Sequence, residues 1–159
     1  MAQPDALKKA ITQDTILISI GYANNEIGTI QPIKELAAIA RKHGIFFHTD
    51  AVQAAGALSL DVGKLGISAM SLTGSKIYGP KGVGMLWVRK GEILTPLMYG
   101  GGQQRGMRPG TENVAGIVGF AVAFSIAQEM KEEESARLIA LRDMLFDALG
   151  KAFPNMQIN

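Results

Sequence analysis

The stretch Thr15-Ile16-Leu17-Ile18-Ser19-Ile20-Gly21 reads as a buried strand, a short β-branched run closed by glycine. The residues after it make it the first strand of an α/β unit. Pro32 stands where a helix begins, since the first turn has no use for its missing N–H. Ile33, Leu36, Ala37 and Ala40 then recur at helical spacing, and Gly44 after His43 is the expected stop. Ile45 to Thr49 reads as a second buried strand, ending at Asp50. Strand, helix, strand, with the strands apolar on both faces, predicts a parallel sheet. Two more strands are expected, at Ser68 to Leu72 and at Gly82 to Val88. The fold class is therefore α/β, a mainly parallel sheet with flanking helices.

The last third of the chain reads differently. Asn113 to about Met130 predicts a helix with Val114, Ile117, Val118, Ala121 and Phe124 on one face. Leu138, Leu141, Leu145 and Leu149 predict a second helix. The charge run from Glu129 to Glu134 reads as a solvated helix face between the two stripes. Phe153 to Asn159 is expected to begin a strand.

Composition narrows the function. The chain has 159 residues, 47% apolar and 19% charged, enough for a globular core. It has no cysteine, which excludes disulfides, thiolate metal sites and a cysteine nucleophile within these residues. Its net charge of +2 comes from scattered residues, 16 basic and 14 acidic, so no nucleic-acid stripe is visible. No apolar run approaches the ~20 residues of a membrane span, and Met1 to Asp14 lacks the apolar stretch of a secretory signal. The expectation is a cytoplasmic protein without membrane or nucleic-acid partners. Its 19 glycines, most of them between Gly56 and Gly119, point to loops where backbone approaches something closely.

In parallel sheets, ligands gather at the carboxyl ends of the strands. Asn24 and Asn25, Asp50 and Gln53, and Thr73 to Lys76 all fall just past such ends. The loop from Thr73 to Gly84 carries a lysine flanked by two hydroxyls and several glycines. It is not a Walker loop, because Pro80 stands where that motif needs lysine. Two readings stay open: Thr73 and Ser75 cradle a phosphate, or Lys76 is a Schiff-base lysine with Lys81 as a cationic neighbour. Asp50 is costly at a buried strand end unless paired. It either caps residues 51–56 or faces a protonated ring nitrogen such as that of pyridoxal phosphate, with Gln53 near the ring oxygen. Gly100 to Asn113 brings three glycines and two arginines to a helix start, where Thr111 either caps the helix or meets a phosphate. His43 and His48 are too few for a metal site, and none is expected; His48 and Asp50 are placed on one strand face.

Together these segments resemble the pyridoxal-phosphate cysteine desulfurases of the class V aminotransferase group, fold type I. The matching stretches are Ala23 to Ile33, His48 to Gln53, Gly74 to Gly84 and Gly100 to Asn113. The resemblance implies that Lys76 holds the cofactor and shuttles the proton of the substrate α-carbon. It implies that Asp50 pairs with the pyridine nitrogen, Gln53 contacts the phenolic oxygen, and Asn25 faces that oxygen and the substrate carboxylate. Thr73 and Ser75 would hold the phosphate, and Thr111 would reach the phosphate of the other subunit in a homodimer. The implied reaction turns L-cysteine into L-alanine and passes sulfur to an enzyme cysteine as a persulfide. The sulfur then goes to an acceptor or cluster-scaffold protein for iron–sulfur and thio-cofactor synthesis.

The sequence departs from the family pattern at Ser75, where many members have histidine. The sulfur-accepting cysteine, the arginine for the substrate carboxylate and the amino-terminal phosphate turn find no counterpart. On the resemblance, the chain is an internal piece: residues 1–110 are a partial cofactor-binding large domain, and 111–159 a helical connection leading to a small domain. A selenocysteine lyase, another class V enzyme and a non-catalytic scaffold are the alternative readings.

Overall fold

The computed structural model of the chain describes residues 1–157. Four strands form one sheet in the order β1-β2-β3-β4: β1 Leu17–Gly21, β2 Phe46–Asp50, β3 Ala69–Thr73 and β4 Gly84–Val88. β1, β2 and β3 run parallel, as expected; β4 runs antiparallel to β3. The reason is length. A parallel return needs a crossover of about a dozen residues or more, and only residues 74–83 separate β3 from β4. The chain can only turn back.

Before β1, a short helix α1, Pro4–Ala10, occupies a segment that reads from sequence only as polar; Pro4 begins it, and Leu7 and Ile11 pack on the core. The expected helix follows β1 as α2, Ile33–Lys42, entered from Pro32 and left through Gly44 in the left-handed region at φ 67°. Ile33, Leu36, Ala37 and Ala40 are buried against the sheet, where Ile18, Phe47, Met70 and Leu72 complete the core. The fully buried Thr49 hydroxyl is satisfied by donating to the Ile20 carbonyl at 2.8 Å. One further turn, α3 Val62–Leu65, is capped by Asp61.

The strands are not buried on both faces. Register places Ile18, Phe47 and Met70 on the side covered by α2, and Ser19, His48, Asp50 and Ser71 on the other. On that second side Ser19 and Asp50 are exposed and His48 and Ser71 half-buried, while Ala69 is covered, and Leu17 is 53% exposed at the sheet edge.

Two long helices follow, α4 Val114–Glu129 and α5 Lys131–Ala152. α4 buries Gly116 and Phe120, with Ala123, Phe124 and Ala127 partly covered. The expected stripe is thus largely the exposed one: Val114, Ile117 and Val118 face outward and only Phe124 joins the core. α4 is apolar around its whole circumference, so periodicity does not single out the packed face. α5 buries no residue, and its first-turn glutamates lie on a solvated face, with Glu134 paired to Arg137. Residues 153–157 form turn and coil rather than a strand, and Ile158 and Asn159 lie outside the described residues. Among the described residues, no single helix is long and apolar enough to cross a membrane.

Candidate active site

The parallel run of β1, β2 and β3 sends their loops out from one edge: Gly21 and Asp50 end β1 and β2 as a pair, Ser71 lies beside Asp50, and β3 runs on two residues to Thr73. Asn25, Asp50, Gln53, Thr73, Ser75 and Lys76 lie at those ends or in the loops that leave them.

Asp50 is fixed by its neighbours. Its carbonyl accepts from the Tyr22 N–H at 2.8 Å, and its Oδ1 accepts from the Val52 N–H at 3.0 Å. The second carboxylate oxygen has no hydrogen-bond partner among the described residues, and the side chain stands at the exposed edge. The two readings of Asp50 are compatible: one oxygen caps the turn after β2 and the other stays free. That turn is pinned by Ala51 and Ala54, both fully buried, which bracket Gln53.

The loop after β1 separates its two asparagines. Asn24 Oδ1 accepts from the N–H groups of Glu26 and Ile27, and Ala23 bridges to Ile30. Asn24 is therefore structural, and Asn25 is left exposed, its side chain making no hydrogen bond among the described residues. Tyr22 ties this loop to the next by donating its hydroxyl to the Ser59 carbonyl at 3.3 Å; burial pushes its phenol above the ordinary value.

Lys76 ends a single 3-10 turn, Gly74–Lys76, that follows β3 directly. The loop is closed by Gly79 N–H to Gly74 C=O at 2.9 Å and Gly74 N–H to Val83 C=O at 3.0 Å. Ile77 is buried beneath it, while Ser75 and Lys76 are exposed. The hydroxyls of Thr73 and Ser75 lie 3.4 Å apart, and Thr73 also donates to the Val83 carbonyl at 3.3 Å. The loop glycines serve close packing. A Cβ at Gly74 would sit 2.9 Å from the Pro80 carbonyl oxygen, and one at Gly119 of α4 would sit 2.6 Å from Pro80 Cγ. What the backbone approaches so closely is α4.

Thr111 does not join this edge through any hydrogen bond, and it does not cap α4. Asn113 does, its Oδ1 accepting from the Gly116 N–H at 3.0 Å. Thr111 is exposed in a loop whose Gln104 and Arg105 both adopt left-handed backbone, at φ 49° and 59°. A cavity of about 540 Å3 beside that loop, lined by Arg89, Lys90, Glu92 and Arg105 among others, contains none of the expected site residues. The candidate site is an open shelf at the strand ends.

On the face opposite α2, just behind the shelf, lies an arrangement only partly legible in sequence. His48 Nδ1 lies 2.8 Å from Ser19 Oγ, and its Nε2 lies 2.8 Å from Ser71 Oγ. The strand alternation places His48 and Asp50 on one face, but the two serines carry no motif; the register alone brings them to the ring.

The family whose description is "Aminotransferase class-V" matches residues 1–158. The chain belongs to the class-V aminotransferase family. It is 53% identical over 159 residues to a cysteine desulfurase IscS of Methanosarcina thermophila, covering 100% of this chain and 39% of that protein. It is 49% identical to a cysteine desulfurase IscS of Dictyoglomus turgidum, covering 98% of this chain and 40% of that one. A solved NifS-like protein superposes with a TM-score of 0.89 at 42% identity, over 94% of this chain and 41% of the other. This class-V chain thus spans about two fifths of the length of the curated relatives it matches. Its mixed sheet is the fold of the NifS-like, fold type I enzymes.

Proposed function

We propose that this chain forms the cofactor floor of a pyridoxal-phosphate-dependent cysteine desulfurase acting on L-cysteine as a homodimer. The observation that carries the reading is the arrival of one free carboxylate oxygen, two adjacent hydroxyls and a lysine at a single strand edge. Pyridoxal phosphate needs an anion for its ring nitrogen, donors for its phosphate and a primary amine for its aldehyde. Asp50, the Thr73–Ser75 pair and Lys76 supply those groups, so the donor set fits. When bound, the cofactor supplies an electron sink for the substrate α-carbon.

This chain's residues do the rest. Asp50, its backbone locked to Tyr22, keeps a negative charge at a fixed point of the edge. From a loop that packs on α4, Ser75 donates to a phosphate oxygen, and Thr73 does so by turning its hydroxyl away from the Val83 carbonyl. Gln53 and Asn25 offer amide groups to the ring oxygen and, for Asn25, to the substrate carboxylate. The Lys76 amine anchors the group, then takes up and returns the α-proton. Thr111, away from its own edge, serves the phosphate of the second copy. Residues 1–110 work as part of the large domain, and 111–159 as the connection toward a smaller one. In the overall reaction a thiol and L-cysteine become a persulfide and L-alanine. With no cysteine in the chain, that thiol is not supplied by these 159 residues. The persulfide sulfur passes on to an acceptor or cluster-scaffold protein.

The test is an absorbance spectrum of the purified chain with added pyridoxal phosphate, followed by borohydride reduction and peptide mapping. The expected result is a cofactor-dependent visible band and one reduced adduct, on Lys76, lost in Lys76→Ala. Labelling spread over many lysines would overturn the reading.

A further inference from the structure

The shelf has unequal support from its two sides. On one side, α2 and the core press against β1, β2 and β3. On the other side three polar side chains link the strands. Ser19 on β1, His48 on β2 and Ser71 on β3 form one continuous chain of two hydrogen bonds, each 2.8 Å long. The link crosses all three parallel strands. It lies directly behind the site: Asp50 is two residues beyond His48 on the same face, and Ser71 is Asp50's register partner. Those are the last rungs of both ladders, closed by Tyr22 N–H to Asp50 C=O at 2.8 Å and Ala51 N–H to Ser71 C=O at 3.0 Å. Ladder ends fray most easily: nothing pairs β2 with β3 beyond this rung, although β3 itself runs on to Thr73 against β4.

We propose that His48 is a positioning residue: clamped at both ring nitrogens, it ties β3 to the ends of β1 and β2 and fixes Asp50 relative to the Lys76 loop. The imidazole suits this task. Its two nitrogens point apart and reach both neighbouring strands, and serine hydroxyls can donate or accept, so both bonds survive in either tautomer. Side chains with one polar end cannot make both links. A site that must hold a charge within a fraction of an ångström gains from such a brace. The link to the cofactor rests on the function proposed above; the brace itself does not.

The experiment therefore has two arms. In the cofactor-free chain, His48→Phe keeps a ring of similar shape and removes both bonds. Hydrogen exchange at the Tyr22 and Ala51 amides is expected to quicken by about tenfold or more, with mid-ladder amides unchanged. Unchanged exchange at those two amides overturns the inference. Should His48→Phe fail to fold, Ser71→Ala removes one bond at little structural cost, and the same two amides are expected to quicken several-fold. In the second arm, pyridoxal phosphate is titrated onto each variant. His48→Phe is expected to weaken binding about tenfold, and His48→Gln, which can still reach one serine, to recover part of the loss. Binding by the parent but unchanged in His48→Phe overturns the positioning role. Binding by neither, with exchange quickened, overturns the cofactor reading and leaves the brace established.

Discussion

Ser75 and Thr73 sit beside each other on the lysine loop but carry different burdens. Thr73 is the last residue of β3 and also donates to Val83; Ser75 is exposed, its side chain bonded among the described residues only to Thr73. Ser75→Ala should therefore weaken pyridoxal phosphate by about tenfold, the worth of one hydrogen bond to a charged group, without moving the melting temperature. Fluorescence titration beside thermal melting checks both halves. Thr73→Val should lower affinity and stability together. A pH effect belongs to this scale too. The backbone N–H of Lys64, above all, holds the Asp61 carboxyl below its ordinary value, with the Gly63 N–H and the Lys64 side chain adding to it. A carboxyl lowered in the folded state stabilises above its unfolded value, and that contribution is lost as pH falls through the folded one. Asp61→Ala should thus cost more at pH 7 than at a pH below the folded-state value, where the parent loses its capping anion as well. Melting curves of the two proteins at both pH values would show the gap close; a gap that stays constant contradicts this account.

The elements act as a frame with two struts. The first is α2, whose Leu36 is fully buried against the sheet. Leu36→Ala should cost about 2–5 kcal/mol, by lost burial plus the cavity left behind. Denaturant unfolding measures it. The second strut is α4, on which the lysine loop rests through Pro80 and Gly119. Gly119→Ala places a methyl 2.6 Å from Pro80 Cγ, so the loop or the helix must shift. We expect a loss of about 1–3 kcal/mol and slower reductive labelling of Lys76 than in the parent. Slower labelling at unchanged stability would still support the strut; unchanged labelling would not.

The whole molecule leaves much apolar surface open. Val114, Val118 and Val122 on α4 and Leu138, Met144 and Leu145 on α5 are each about half exposed or more. β1 and β4 form the two edges of the sheet, with Leu17 and Leu86 each 53% exposed. Surface of this kind drives association, and unpaired edges template it. The 159-residue chain on its own should therefore elute from size exclusion as folded oligomers and bind a hydrophobic dye. A monodisperse monomer would contradict that expectation.

Much of this protein is local and was therefore readable along the chain. The β-branched run before Gly21, the Pro32-to-Gly44 helix with its core stripe, and the polar residues past each strand end depend on near neighbours and on period. So do the motif stretches that mark the class V family. The amino acids alone thus determined the α/β class, the shelf and the lysine on it. Other features depend on residues far apart. Whether β4 returned parallel or antiparallel was implicit in the short 74–83 connection, yet only the paired strands settle it. α4 is apolar all round, so packing alone chose Phe120 over Val114 for the core. Thr111 and Asn113 both make good caps, and the loop's path gave the bond to Asn113. Ser19, His48 and Ser71 meet only because register sets Ser19 beside His48 and Ser71 diagonally from it on the same face. Local sequence sets what each residue prefers within a few positions of itself; which distant faces meet is decided by how the whole chain buries its apolar surface at once.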